Sequence, residues 1–301
     1  MNVFVTGATG FVGSHILQAL REKGHGIIAL VRPGSEKKLP FADGLRIVHG
    51  DMDDNDLGAK MAGADAVIHL IGIIREFPAR GITFEKLHYE ATRRVAKAAR
   101  AAGVKRFIHM SANGASEHGV SAYQTTKWRA EREVMASGLD WTIFRPSVLF
   151  GGGGGAMEFT RTLAKVMAQA PVMPIFGGGG FLLDPVAVED VAQCFVRALA
   201  MPQTHGRVFH LCAGQPRPYR EIVRIIAAAL GRPRLPLVNV PFGAIRPLAR
   251  MLDRFAWFPV TVDQLSMLGG GNVCPGQEWP RVFGAAPRPF TVENLTYLRR
   301  G

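Results

Sequence analysis

The sequence predicts an α/β fold, a doubly wound parallel sheet with a smaller, discontinuous C-terminal lobe, and three observations predict it. Short apolar runs alternate with helical stretches down to about residue 150, the pattern of a parallel sheet covered on both faces. The first run passes through Thr6-Gly7-Ala8-Thr9-Gly10-Phe11-Val12-Gly13 into a segment where Ile16, Leu17 and Leu20 recur at helical spacing. After Phe150 the composition shifts abruptly, with glycine runs at 151–155 and 177–180.

Taken in order, the apolar runs place strands at 2–6, 26–31, 45–49, 66–70, 106–110 and 141–145. Helices are expected over 11–23, 83–102 and 121–136, with a short acidic turn at 51–58. Beyond the first glycine run, 186–199 reads as a helix, 207–211 as a strand and 218–230 as a helix ending at Gly231, with a final helix near 292–300. Residues 1–150 are therefore read as the first domain, with return segments near 186–212, and residues 151–301 as mostly the second lobe. The glycine runs read equally as plain loops or as mobile walls of a cleft. No internal repeat is present.

Bulk properties narrow the class. The 301 residues, 48% hydrophobic and 20% charged, suit a globular chain. No segment approaches the ~20 apolar residues of a membrane span. The N-terminus enters the first strand without a secretory pattern, so the expected location is cytoplasmic. Cys194, Cys212 and Cys274 are odd in number, far apart and without metal-ligand spacing, so neither a disulfide nor a structural zinc is expected, and no metal is. A net charge of +12 suits nucleic acid, an anionic membrane surface or a phosphorylated cofactor. The charges are spread without a block and without interleaved aromatic platforms, which argues against nucleic acid.

The glycine loop carries the first chemical signal. Gly7 permits a tight turn, Gly10 a close backbone approach and Gly13 close helix–strand packing, and the helix start offers free N–H groups to a dinucleotide pyrophosphate. The spacing is GxxGxxG, and glycines also mark ordinary turns, so other segments must agree. Tyr123 and Lys127, four apart in AYQTTK, share one face of a helix. A neighbouring ammonium makes a tyrosine hydroxyl usable in proton transfer, and the same lysine can hold a ribose. His15, His69 and His109 read as packed or capped side chains, and no HExxH or paired-acid arrangement occurs.

TGATGFVGSH, VIHLIGI, AYQTTKWRAE, DWTIFRPSVLFG, VAVEDVA, PVTVDQLSML and FGAAPRPFTVENLTYLRR together resemble the extended short-chain dehydrogenase/reductase superfamily, whose members are epimerase/dehydratase-like Rossmann proteins. Within it, the chain is similar to the atypical group that contains the 39 kDa accessory subunit of respiratory complex I. The resemblance implies that Gly7, Thr9, Gly10, Phe11, Val12 and Gly13 cradle the pyrophosphate. It places Asp51 and Met52 at the adenine, Leu70, Ile71 and Gly72 on the ribose side, and Pro146, Ser147 and Val148 at the nicotinamide. Tyr123 and Lys127 become the catalytic pair and cofactor contacts. Related enzymes also carry a Ser or Thr beyond the fifth strand; Ser111 is the candidate, but the register sets that position at Ala112 or Asn113, so the catalytic set departs from the pattern.

About 20 residues past the loop, where an acidic residue holds a ribose 2′-hydroxyl, this chain has Arg32 with Ser35, Lys37 and Lys38 nearby, which favours NADP over NAD. Two functions follow. The first is an NADP-dependent oxidoreductase acting on a carbonyl or hydroxyl carbon of an unidentified small molecule. The second is a non-catalytic NADPH-binding module of a respiratory or other membrane-associated complex, peripheral to the inner face of a membrane. In FGAIRPLARMLDRFAWF, Ile245, Leu248, Met251, Leu252 and Phe255 interleave with Arg246, Arg250 and Arg254, around Pro247. That helix either packs on the lobe with its arginines solvated or rests on an anionic membrane. The resemblance also makes the helices at 83–102 and 121–136 the seam of a homodimer.

Overall fold

A computed structural model of the protein describes residues 1–153, 158–252 and 261–300. Seven strands form the main sheet: β1 Asn2–Thr6, β2 Gly26–Val31, β3 Leu45–His49, β4 Ala66–His69, β5 Arg106–Met110, β6 Asp140–Pro146 and β7 Arg207–Leu211. All pairs are parallel, in the order β3-β2-β1-β4-β5-β6-β7. The order reverses between β1 and β4. In a doubly wound sheet that switch point opens a crevice beyond the strands' carboxyl ends, and ligands bind there.

Alternation along each strand sorts its residues between two helical layers. Val3 and Val5 of β1, with Ile68, Ile108, Phe144 and Phe209, pack on α1 (Phe11–Glu22) and on a later helix, Val188–Ala198. Phe4, Val67, Phe107 and Ile143 point the other way, towards α2 (Ala91–Ala101) and α3 (Ala122–Met135). Burying each such Phe, Ile or Val contributes about 1.5–3 kcal/mol, so a one-residue slip in any strand would expose a row of them.

A separate core builds the second lobe. Met167, Met173, Ile175, Tyr219, Ile222, Ile226, Phe290 and Leu295 are buried together there, around α4 (Phe159–Gln169) and Tyr219–Ala229. Met173–Phe176 pairs in parallel with Leu237–Val240 beside it. The helix at Phe242–Leu252 lays Phe242, Ile245 and Ala249 into a cluster with Phe176 and Leu265, and leaves Arg250 and Met251 exposed. The side chains of Arg246, Leu248 and Leu252, and all of Arg254 and Phe255, lie outside the described residues. Among the described residues no helix is long and apolar enough to cross a membrane.

The structure corrects four local expectations. The stretch at 186–199 opens as a strand, because Val186 N–H donates to Val148 O and Val186–Ala187 pairs with Leu149–Phe150; the helix starts at Val188. The helix at 83–102 begins as a π-helical turn, Glu85–Glu90, before α2. The final helix is a 3-10 segment, Glu293–Arg300. A disulfide joins Cys212 and Cys274, whose Cα atoms lie 6.1 Å apart, contrary to the expectation of none; Cys194 is free and buried. The fold closes a 62-residue separation that spacing could not show, since Cys212 follows β7 and the 272–274 segment crosses that same sheet edge.

Candidate functional site

The turn after β1 needs its glycines for stated reasons. Gly7 has φ +73°, and a Cβ there would meet Leu70 at 3.1 Å. A Cβ on Gly13 would lie 2.3 Å from Gly7 O, so only glycine lets α1 start this close to the strand. Gly10 caps α1 without a side-chain bond, and no acidic residue stands in the first turn. The N-terminus therefore keeps free donors and the positive end of its dipole, and this cradle fits a dinucleotide diphosphate. Thr9 and Phe11 are half-buried at its rim, whereas Val12 packs into the core.

The other sequence-predicted cofactor residues lie along the same sheet edge. Arg32 follows β2 and is exposed, with Lys37 and Lys38 also exposed on the succeeding turn. The one carboxylate within that turn, Glu36, binds His49 Nδ1 at 3.1 Å and the Gly34 N–H. Asp51 follows β3, and its Oδ1 accepts from Met52 N–H at 2.7 Å; the Met52 side chain is buried in the core. Leu70, Ile71 and Gly72 follow β4, and a Cβ on Gly72 would come 2.9 Å from Lys127 Nζ. Pro146 ends β6, and Ser147 and Val148 follow it; Ser147 Oγ donates to Asn272 O at 3.2 Å, and Val148 packs on the second-lobe core.

Tyr123 and Lys127 stand on α3, whose first turn is capped by Ser121 Oγ accepting from Gln124 N–H. The Tyr123 ring is held edge-on by Phe84, at 5.6 Å, and by His88, at 5.2 Å. Lys127 is 4% exposed and donates to Met110 O at 3.0 Å. Burial pushes the tyrosine up to about 12 and the lysine down to about 8; Glu131, one turn further on, partly offsets the lysine shift. Glu131 is itself buried and paired with Arg145, including Nε to Oε1 at 2.7 Å. At neutral pH the site thus holds a protonated phenol beside an ammonium, an arrangement that can donate a proton to a developing alkoxide.

Beneath the pair lies a polar layer that sequence reasoning read only in part. Thr6, His69 and His109 stand in register on β1, β4 and β5. Thr92 Oγ1 donates to His88 O, so it accepts from His69 Nε2–H, and Thr6 Oγ1 donates to His69 Nδ1. Burial holds His69 down to about 3 and His109 well below the usual range, so both rings are neutral. They are packed side chains, stacked 5.5 Å apart. His15 bonds Gly152 O at 2.8 Å, between the two lobes.

His88 was missed altogether. It comes from the π-helical turn, bonds Thr126 Oγ1 at 3.0 Å and accepts from Ile73 N–H at 3.1 Å. Nothing in the spacing of HYEATRR marks it; only the extra residue of the π turn brings it under Tyr123.

The candidates for a third member of the set follow β5. Ser111 Oγ is buried and finds no partner among the described residues. Ala112 is buried and carries no donor. Asn113 Nδ2 is used already, by Asn272 Oδ1 at 2.7 Å and Val273 O at 3.1 Å, while His210 Nδ1 lies 2.8 Å from Asn113 Oδ1.

Comparison with known proteins identifies the family and the fold. The NAD(P)H-binding family matches residues 7–202. The chain is 31% identical to ceramide reductase of Caulobacter vibrioides over 263 residues, covering 86% of this chain and 79% of that one. It is 28% identical to the mitochondrial NADH-ubiquinone oxidoreductase 40 kDa subunit of Neurospora crassa over 300 residues, covering 97% and 77%. Among solved structures, gox2253 aligns over 98% of this chain and 96% of its own with a TM-score of 0.79 and 25% identity. MoeE5 in complex with UDP-glucose and NAD aligns over 100% and 98%, with a TM-score of 0.78 and 22% identity, a likeness of fold.

Proposed function

The chain belongs to the NAD(P)H-binding family, in its extended short-chain dehydrogenase/reductase branch, and from that premise we propose that it is an NADP-dependent reductase of a carbonyl carbon. The single observation that carries the reading is the Tyr123–Lys127 pair, set on one face of α3 at the carboxyl edge of the sheet across from the Gly7–Gly13 cradle. The 31% identical ceramide reductase supports the direction of reaction.

When bound, the dihydronicotinamide supplies the hydride. Tyr123, protonated because burial raises its pKa, donates the phenolic proton to the substrate oxygen as negative charge develops there. Lys127 stabilises the phenolate that remains and reaches the ribose side next to Gly72. Glu131, anchored by Arg145, keeps the lysine cationic. Arg32 offers a guanidinium to a 2′-phosphate, which is why NADP is proposed over NAD.

A second reading has its own observation. The residues at the polarising position are Ala112, which has no donor, and Asn113, whose amide is engaged; with the respiratory 40 kDa relative, this favours an NADPH-holding module that assembles with a membrane complex. Following NADPH fluorescence against a panel of carbonyl compounds and quinones separates the two. Oxidation abolished by Tyr123→Phe supports the reductase, and tight NADPH that no compound oxidises supports the module.

A further inference from the structure

We propose that Cys212 and Cys274 are a reversible thiol–disulfide modification site that governs whether the Asn113 amide is available at the sheet edge. Residues 271–276 run across the ends of β5, β6 and β7. Asn272 N–H donates to Leu182 O at 2.8 Å, and Asn272 O accepts from Asp184 N–H at 3.0 Å and Ser147 Oγ at 3.2 Å. Against this strap the Asn113 amide spends its donors, on Asn272 Oδ1 and Val273 O.

Beyond the strap, Gln277 Nε2 and Trp279 Nε1 donate to Cys212 O at 3.1 and 2.9 Å, and Trp279 is fully buried. That end stays anchored whatever the state of the sulfurs. Within 271–276 the disulfide is the covalent tie, and the remaining ties are a handful of hydrogen bonds, each individually weak. Breaking the disulfide therefore loosens the strap without unfolding the lobe.

The sulfurs are unequally placed for exchange. Cys212 is fully buried and Cys274 half-buried, so a dithiol of the thioredoxin class attacks Cys274 Sγ. The S–S bond breaks, Cys212 leaves as thiolate and takes up a proton, and a mixed disulfide forms on Cys274. The second thiol of the reductant then attacks its own sulfur partner and releases Cys274 as a thiol. The reductant loses two electrons and becomes a disulfide; the protein gains two thiols. Freed from the strap, Asn113 offers its N–H groups to a substrate oxygen, a step that rests on the reductase reading.

The test begins with alkylation of the denatured protein and intact mass, before and after dithiothreitol. One label without reductant, on Cys194, and three after it are expected; three labels without reductant overturn the proposal. Hydrogen exchange is then measured on the native full chain in both states and on Cys274→Ser. Peptides covering 271–276 and 182–184 are expected to exchange at least tenfold faster after reduction, and in Cys274→Ser without reductant, while 7–13 is unchanged. Unaltered exchange in a chain that mass shows to be reduced overturns it. NADPH oxidation by the carbonyl panel is expected to rise at least threefold on reduction. A rate that stays level while the strap loosens overturns the assignment of Asn113 to the substrate. The exchange result stands on its own if the chain proves to have no reductase activity.

Discussion

Lys127 Nζ donates to the Met110 carbonyl at 3.0 Å from a position that is 4% exposed, so a cation is stored between α3 and β5. Burial is the main cause of its pKa of about 8, against an ordinary value near 10.5. On the proposed reductase reading the charge serves only while it persists. Turnover of NADPH is expected to decline as pH rises through about 8, measured as a pH–rate profile, and a profile that holds level to pH 10 would exclude Lys127 as the cationic member.

The same shift has a stability sign. The folded chain gives up the Lys127 proton near pH 8 and the unfolded chain near 10.5, so between these values the unfolded state binds more protons and stability rises with pH. The contribution is on the order of 3 kcal/mol across that window. Lys127→Met, which removes the buried cation, is expected to raise the midpoint in urea at pH 7 while abolishing turnover. A lower midpoint would show that the ammonium is a net structural asset.

Glu131→Gln breaks the pair with Arg145 and removes the carboxylate that raises Lys127. The loss of one partner from a buried pair costs about 3–5 kcal/mol. Chemical denaturation checks the stability term, and the pH–rate edge of Lys127 is expected to move below 8 in the same variant.

Gly13→Ala places a Cβ 2.3 Å from Gly7 O, a backbone atom that cannot yield without moving the turn. NADPH affinity is expected to fall at least a hundredfold by fluorescence titration, together with a loss of about 1–3 kcal/mol in stability. Arg32→Glu leaves the loop intact and replaces the exposed cation after β2 by an anion. NADPH affinity is expected to fall at least tenfold relative to NADH; an unchanged ratio would place the 2′-phosphate elsewhere.

Much of the frame was legible because it follows from local rules. β1, β2, β3 and β5 fall where the apolar runs end, and the cradle is readable since Gly7 and Gly13 answer to turn geometry within a few residues. Tyr123 and Lys127 were readable as helical neighbours. What escaped depends on long-range closure. His88 reaches Tyr123 only through a π turn, and His69 finds Thr6 and Thr92 across 63 and 23 residues. The Cys212–Cys274 bond and the engagement of Asn113 by Asn272 join positions 62 and 159 residues apart, for which no periodicity exists.

Proton transfer from Tyr123 beside a bound nicotinamide is the step on which the proposed reductase reading stands. Its most direct measurement is NADPH oxidation by the wild-type chain and by Tyr123→Phe over one panel of carbonyl substrates, with NADPH affinity measured alongside. Oxidation of at least one carbonyl by the wild type is expected, with a loss of a hundredfold or more in Tyr123→Phe and NADPH affinity within threefold of the wild type. Undiminished oxidation in Tyr123→Phe would contradict that reading.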